Sequence, residues 1–296
     1  MIFVAGKSGQ VARSLEEAAV DHGVHLQTYG RPELDIADPD SLEAVVKAAN
    51  PSAIINAAAY TAVDQAESEE ALASKINADG AAALAAVAAK LRVPFLHIST
   101  DYVFDGSKAS AYVEDDPVGP TGAYGRSKLA GEKAVMAANK RAIILRTAWV
   151  YSPFGKNFLK TMLSLAGRER LTVVADQQGN PTYAPDFAHM LLGLLFRLEG
   201  KEPGPGQAGI YHMAGSGSTT WHGFAEAIFD EGVKYGLPRP DVAPVTTADY
   251  PTPAKRPANS RLDCSKLERV FGLKQPDWRD STAECVKRLS QMGELG

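Results

Sequence analysis

The chain opens with a short apolar segment that runs directly into a glycine turn and a helical pattern. Residues 1–5 are apolar, and the motif GKSGQVA follows at residues 6–12. Gly6 and Gly9 permit a tight turn and a close backbone approach to a pyrophosphate, and Ala12 lets the helix lie near the sheet. The N-terminus of that helix faces the anion. This order of strand, turn and helix predicts a dinucleotide site that includes Gly6, Ser8, Gly9, Gln10 and Val11.

Strand-like and helix-like patterns then alternate through the first half of the chain. We predict strands at residues 24–29, 53–56, 95–100 and 142–146, and helices at residues 41–50, 69–91 and from Tyr124 onward. Strands that are separated by helices are typical of a parallel, doubly wound sheet, so the expected fold is Rossmann-like α/β.

The alternation loosens from Trp149 onward. We predict a strand at residues 171–175, helices at 186–198 and 221–235, a linker at 200–209, and an irregular loop or flap at the proline-rich residues 238–257. The expected domains are an NAD(P)-binding domain over residues 1–148, to which the helix at 186–198 returns, and a smaller substrate-binding lobe over residues 149–296.

Composition limits the class of protein and its compartment. A chain of 296 residues with 45% hydrophobic content can bury a large core. The net charge of −4 and the lack of a basic tract argue against a nucleic-acid partner.

No apolar run approaches the roughly 20 residues of a membrane span, and Met1 begins a strand rather than a basic leader. Cys264 and Cys285 lack the C-x-x-C spacing, so we expect a cytoplasmic protein.

Tyr124 and Lys128 lie four residues apart at the start of a predicted helix, and therefore share one face. An ammonium near a phenol favours the phenolate, so the usual pKa of roughly 10 moves toward neutrality and the hydroxyl can exchange a proton with a carbonyl oxygen. Alone, this spacing also occurs on the surface of amphipathic helices. Thr100 ends an apolar strand, and open α/β sheets hold their sites at strand ends.

These three residues together are the groups that a ketone reductase needs. Thr100 would donate a hydrogen bond to the carbonyl oxygen, Tyr124 would be the acid, and Lys128 would lower the pKa of the phenol and bind the nicotinamide ribose. Val103, Phe104 and Trp149 offer an apolar wall near the strand ends, suited to an apolar face of a substrate.

Further motifs extend almost to the end of the chain: NAAAYTAVD at residues 56–64, STDYVF at 99–104, YGRSKLAGE at 124–132, RTAWVY at 146–151, NF at 157–158, DQQGNPT at 176–182 and PTPAKRPANSRL at 251–262. In this order they resemble the extended short-chain dehydrogenase/reductases, and within them the dTDP-4-dehydrorhamnose reductase family. The resemblance implies an oxidoreductase of nucleotide-sugar biosynthesis that acts on the 4-keto group of a dTDP-4-dehydro-6-deoxysugar.

The resemblance also implies roles for individual residues. The cofactor-binding residues would include Asp35 and Ile36 beside adenine, together with Ala57, Ala58, Ala59, Tyr60, Tyr124 and Lys128. The substrate-binding residues would be Thr61, Thr100, Asp101, Val103, Phe104, Trp149, Asn157 and Arg256, with Asn157 supplying an amide and Arg256 a phosphate contact.

The choice of cofactor depends on the residues that follow the second strand. An acid there binds the ribose 2′-hydroxyl, whereas a cation accepts a 2′-phosphate. The segment reads Gln27-Thr28-Tyr29-Gly30-Arg31, and no acid occurs before Glu33. We therefore predict that Arg31 contacts the phosphate and that NADPH is preferred, although many similar reductases accept NADH as well.

Other functions remain open on the sequence. Similar dehydratases carry Thr-Asp-Glu where this chain has Thr100-Asp101-Tyr102, so elimination lacks its expected base, whereas epimerisation is less firmly excluded. The regulatory subunit of methionine adenosyltransferase also resembles this family and acts by association. Some members dimerise through a magnesium site whose glutamate aligns with Ser14, so we expect no metal here and a monomer or weak homodimer.

Overall fold

The computed structural model describes residues 1–295 of the chain and, at Asp40, the backbone alone. The strands are β1 (Ile2–Ala5), β2 (Leu26–Tyr29), β3 (Ala53–Asn56), β4 (Phe95–Thr100), β5 (Ile143–Thr147), β6 (Val150–Tyr151), β7 (Arg170–Val174), β8 (Gln178–Gly179), β9 (Thr182–Tyr183), β10 (Gly209–His212), β11 (Thr219–Thr220) and β12 (Asp241–Val245). The helices are α1 (Gln10–Asp21), α2 (Pro39–Ala49), α3 (Glu70–Ser74), α4 (Ala81–Leu91), α5 (Ala123–Ala138), α6 (Phe158–Ser164), α7 (Ala184–Arg197), α8 (Trp221–Val233), α9 (Ser265–Phe271) and α10 (Trp278–Met292). A π-helical segment, Lys75–Gly80, connects α3 to α4.

A six-stranded parallel sheet forms the centre of the molecule, in the order β10-β5-β4-β3-β1-β2. The chain moves to opposite sides of β1 when it forms β2 and β3, so the crossing point lies between β1 and β3. In open α/β sheets a ligand binds beyond the carboxyl ends of the strands at this point. The parallel, doubly wound sheet confirms the predicted fold class.

Helices cover both faces of this sheet, which explains why its strands are apolar on both sides. One face packs against α1 and α7 and buries Leu15, Phe187 and Leu191. The other packs against α2, α4 and α5 and buries Leu42 and Leu84.

The C-terminal half contributes α7 and β10 to this central unit and also builds a separate core. That core joins α6, α8 and α10 around Phe224, Trp278 and Leu289. The predicted domain boundary at residues 148 and 149 stays a prediction.

Two predicted elements differ from the structure. The helix expected at residues 69–91 contains the π-helical segment, because the buried Asn77 amide bonds both the N–H and the carbonyl of Tyr60 and the hydroxyl of Ser127. The irregular segment at 238–257 includes β12, which pairs in parallel with β7. Pro244 is tolerated there because this sheet has only two strands. Within residues 1–295, the helices are too short or too polar to cross a membrane.

Candidate active site

A cleft of about 560 Å³ lies beyond the carboxyl ends of β1, β3, β4 and β5. It brings together most of the residues predicted from the sequence: Ser8, Gly9, Gln10, Val11, Ala57, Ala58, Ala59, Thr61, Thr100, Asp101, Tyr124, Lys128 and Trp149. Tyr102, Thr147 and Lys156 also line it and were not predicted. Lys156 follows a glycine in an irregular loop, so its sequence context carries no signal for a binding role.

The glycine turn forms the floor of this cleft at the crossing point of the sheet. Gly6 has φ +113°, and its N–H donates to the Tyr29 carbonyl at 2.7 Å. A Cβ at Gly6 would lie 3.1 Å from backbone atoms of Ala57 and Ala58. A side chain at Gly6 would crowd this backbone and strain the positive φ, so the tight turn that is typical of dinucleotide sites requires glycine here.

Thr100 and Asp101 occupy the end of β4. The Thr100 hydroxyl accepts a hydrogen bond from the Tyr102 N–H at 3.2 Å and donates to Asp101 Oδ1 at 3.0 Å. Burial raises the pKa of Asp101 to about 6, and the nearby hydroxyls of Ser260 and Thr100 oppose this increase. Asp101 is therefore mainly ionised at neutral pH and holds the Thr100 side chain in one orientation.

Tyr124 lies in the first turn of α5. The carboxylate of Glu67 fixes the start of this helix, since it accepts the Ala123 N–H at 2.8 Å. The ring of Tyr124 meets that of Tyr102 edge to face, with centroids 5.6 Å apart. Loss of water around the hydroxyl raises the pKa of Tyr124 to about 12, Asp101 adds to this increase, and Thr100 opposes it.

Lys128 lies one turn further along α5 and is buried. Its ammonium donates to the Ile98 carbonyl at 2.7 Å. Desolvation lowers the pKa of Lys128 to about 8, and the Glu132 carboxylate opposes this decrease. The lysine was expected to lower the pKa of Tyr124. In the structure, however, the ammonium binds the carbonyl of a strand residue, and desolvation is the main influence on the pKa of the Tyr124 phenol.

A buried ion-pair network supports this part of α5 and was not predicted. Glu132 accepts from Arg146 at both oxygens, at 2.8 and 2.7 Å, and Oε1 also accepts from Ser99 at 2.6 Å. Glu132 and Arg146 are each only 2% exposed. A buried pair of this kind requires good geometry, because its desolvation penalty is large. The one sequence feature that could have indicated this network is Glu132, which follows Lys128 by one helical turn.

The stacked rings of Trp149, which lines the cleft, and Trp221, which lines a second cavity of about 310 Å³, lie between these two spaces. The ring of Trp149 stacks on that of Trp221 with centroids 3.6 Å apart and an angle of 8°. The second cavity is lined by aromatic, aliphatic and polar side chains, namely Phe158, Thr161, Met162, Thr172, Val173, Val174, Gln177, Trp221, Tyr250, Thr252 and Arg256. The predicted phosphate ligand Arg256 therefore lies at this cavity, where its guanidinium binds both oxygens of Asp64 at 2.9 Å.

Three predicted substrate residues have other roles in the structure. Val103 and Phe104 are fully buried in a core cluster, where Phe104 stacks on Tyr112. The short 3₁₀ turn Asp101–Val103 after β4 directs these residues inward, so they do not form the expected apolar wall. Asn157 is the N-cap of α6: its Oδ1 accepts from the Lys160 N–H, and its Nδ2 donates to Gln10 and to the Ser152 carbonyl.

Some predicted cofactor residues lie outside the cleft lining. Arg31 and Asp35 are exposed beyond β2, whereas Ile36 is buried in the core. The Tyr60 hydroxyl donates to Glu69 at 2.8 Å. Their roles, like those of the other site residues, stay predictions.

Residues 1–295 hold no group of three or more His, Cys, Asp or Glu side chains placed to bind a metal. Ser14, at the position of the magnesium-binding glutamate, is buried and donates to the Gln10 carbonyl at 2.8 Å. The expectation of metal independence stays a prediction.

The doubly wound parallel sheet, the glycine turn at its crossing point, and the threonine, tyrosine and lysine in one cleft define the short-chain dehydrogenase/reductase class. The family model described as "RmlD substrate binding domain" matches residues 1–291. The chain belongs to this family.

Curated relatives and solved structures extend over nearly the whole chain. A dTDP-4-dehydrorhamnose reductase of Sinorhizobium fredii is 46% identical over 294 residues, which is 99% of each chain. Its counterpart in Escherichia coli K12 is 41% identical and covers 97% of each. A crystal structure of such a reductase from Clostridium acetobutylicum has a TM-score of 0.90 at 36% identity, covering 97% of this chain and 99% of that one. Another, from Bacillus anthracis in complex with NADP, has a TM-score of 0.88 at 34% identity and covers 97% and 98%.

Proposed function

We propose that this protein is an NADPH-dependent oxidoreductase that reduces the 4-keto group of a dTDP-4-dehydro-6-deoxysugar, converting dTDP-4-dehydrorhamnose to dTDP-rhamnose. The observation that carries the proposal is the convergence of Thr100, Tyr124 and Lys128 on the cleft that begins at the glycine turn. The full-length relatives that are named for this activity support the choice of substrate.

The residues of the chain would bind, orient and protonate the substrate. When bound, the nicotinamide cofactor would supply a hydride to the carbonyl carbon. Thr100 would turn its hydroxyl proton from Asp101 Oδ1 to the carbonyl oxygen, and Tyr124 would deliver a proton to that oxygen. A raised pKa suits this role, because the phenol keeps its proton at neutral pH until the oxygen becomes basic. Lys128 would supply an ammonium donor for the nicotinamide ribose while it stays bonded to the Ile98 carbonyl.

The second cavity is the place for the nucleoside diphosphate. Trp149 would pack against the 6-deoxysugar on the cleft side, and Trp221 and Tyr250 would contact the base on the other side. Arg256 would receive the diphosphate by partial exchange of its Asp64 carboxylate. An anion of higher charge competes well for a guanidinium, which binds phosphate with two parallel hydrogen bonds.

The cleft chemistry also bears on the alternatives. Elimination needs a carboxylate base at position 102, but this residue is a tyrosine whose pKa burial raises far above its usual range. A purely regulatory protein has no use for a reactive set of hydroxyl, phenol and lysine. Epimerisation gives a different product and causes no net oxidation of the cofactor, so the experiment below distinguishes it from reduction.

We further propose that the protein works in the cytoplasm as a monomer or weak homodimer, without nucleic-acid or membrane partners. The free thiols of Cys264 and Cys285 support a reducing compartment.

The test is incubation of the purified protein with dTDP-4-dehydrorhamnose and NADPH, followed by product analysis. Formation of dTDP-rhamnose with one NADPH oxidised for each sugar is expected. A changed sugar without net cofactor oxidation would indicate an epimerase. Tight cofactor binding without any turnover would favour the regulatory subunit.

A further inference from the structure

Lys7 occupies the glycine turn at the point where β1 and β2 end side by side. Ala5 is paired with Tyr29, the last residue of β2. Immediately after this pair, Lys7 packs so closely on Gly30 that a Cβ at Gly30 would lie 2.9 Å from Lys7 Cβ. The lysine side chain therefore begins against the carboxyl end of β2, although it belongs to the turn after β1.

From this position Lys7 reaches the loop that follows β2. Its Nζ lies 2.9 Å from Glu33 Oε1, and both side chains are 51% exposed. The contact lowers the pKa of Glu33, so the carboxylate is ionised across the neutral range. An exposed ion pair of this kind contributes little to stability, so an exchange of partners would disturb the fold very little.

The carboxyl end of β2 is also where a doubly wound fold discriminates between the two nicotinamide cofactors. A cation in this place accepts a 2′-phosphate, and an acid favours the free 2′-hydroxyl. Here the cation and the acid are paired with each other. Arg31 is exposed in the same loop, and the nearby Asp35 carboxylate accepts the Ala37 N–H at 2.9 Å.

We propose, resting on the function above, that Lys7 determines the preference for a 2′-phosphorylated cofactor and that Glu33 is its exchangeable counter-ion. With a 2′-phosphate present, Lys7 leaves Glu33 for the phosphate. When the cofactor has a free 2′-hydroxyl, Lys7 stays paired with Glu33. NADH therefore binds without leaving the Lys7 ammonium unpaired. The pair thus accommodates both cofactors and favours the phosphorylated one.

This arrangement has opposite consequences for the two partners. Removal of the Lys7 charge deletes a charge-assisted contact that only the phosphorylated cofactor makes. Removal of the Glu33 charge deletes both the competitor for Lys7 and a repulsion toward phosphate. Lys7→Met should therefore weaken NADP⁺ selectively, and Glu33→Gln should strengthen it.

Calorimetric titration of the full-length protein and its variants with NADP⁺ and NAD⁺ measures both effects. We expect Lys7→Met to raise the Kd of NADP⁺ by about tenfold or more and that of NAD⁺ by less than about twofold. Glu33→Gln should lower the Kd of NADP⁺ by about two- to fivefold. Lys47→Met is the matched control, because it removes an exposed lysine that pairs with Glu43 at 2.7 Å on α2. It should change neither Kd.

An equal loss for both cofactors in Lys7→Met would place Lys7 at the shared pyrophosphate and overturn the proposal, as would no loss. Unchanged or weaker NADP⁺ binding in Glu33→Gln would remove Glu33 as the counter-ion. Because the readout is binding, failure of the reductase assay with intact discrimination would contradict the proposed function alone.

Discussion

Glu132 lies one helical turn after Lys128 on α5, and its carboxylate raises the pKa of this buried lysine while binding Arg146 with both oxygens. The same carboxylate thus offsets two buried cations, one by direct hydrogen bonds and one through space. Without Glu132, desolvation would lower the pKa of Lys128 unopposed. The charge of Lys128 in the cleft therefore depends on a residue that does not line the cleft.

The first prediction is an alkaline limit to activity. Lys128 is charged below its pKa of about 8 and neutral above it, so kcat/KM for the keto sugar should fall as the pH rises through about 8. Glu132→Gln removes the group that raises this pKa, so the midpoint should move to lower pH. The measurement is kcat/KM from pH 6 to 10 at saturating NADPH.

Glu132→Gln also leaves Arg146 without its carboxylate partner, and loss of one member of a buried pair costs about 3–5 kcal/mol of unfolding free energy. The midpoint of the pH profile separates the electrostatic effect from this instability, because destabilisation alone lowers the amount of folded enzyme. Lys128→Arg retains a charge throughout this range, so its residual activity should lose the alkaline limb. If the wild-type decrease in kcat/KM at alkaline pH persists in Lys128→Arg, this decrease arises from the titration of another group.

The second prediction concerns Arg256, which lines the cavity proposed for the nucleoside diphosphate and pairs with Asp64. Arg256→Ala should raise KM for the dTDP-sugar by about 10- to 100-fold, the value of a charge-assisted contact, and change kcat much less. Asp64→Asn keeps the guanidinium but removes its competitor, so it should leave KM equal or lower. An increase in KM of the same size in both variants would mean that the pair is only structural.

Asn157 gives a third prediction, because its side chain caps the N-terminus of α6 in the structure. Asn157→Ala should reduce the unfolding free energy by about 0.5–2 kcal/mol, as the loss of an N-cap does. Asn157→Asp keeps the acceptor for the Lys160 N–H and should recover part of the loss. Chemical denaturation measures both variants. A large rise in substrate KM with unchanged stability would instead support the predicted substrate contact.

The parts of the fold that follow from local sequence could be predicted. The turn at Gly6 specifies both a backbone conformation and a ligand, and the strand ending at Thr100 places its hydroxyl at the edge of the sheet. The spacing of Tyr124 and Lys128 fixes a shared helix face wherever the helix packs. Each of these conclusions needs only neighbours in the chain.

The features of the site that the sequence did not predict depend on distant contacts. The 3₁₀ turn after Thr100 turns Phe104 into the core against Tyr112, and strand periodicity does not show this. The partner of Arg256 is 192 residues away at Asp64. Desolvation of Tyr124 arises from the packing of whole elements around it, so spacing alone gave the wrong direction for its pKa.

The central claim is that Tyr124 protonates the carbonyl oxygen during hydride transfer. Tyr124→Phe keeps the ring beside Tyr102 and removes only the hydroxyl. Steady-state oxidation of NADPH with dTDP-4-dehydrorhamnose, measured together with the Kd of NADPH, tests this most directly. We predict that kcat falls by a factor on the order of 10² to 10⁴ while the Kd of NADPH changes little. A variant that turns over at close to the wild-type rate would show that the acid is another group.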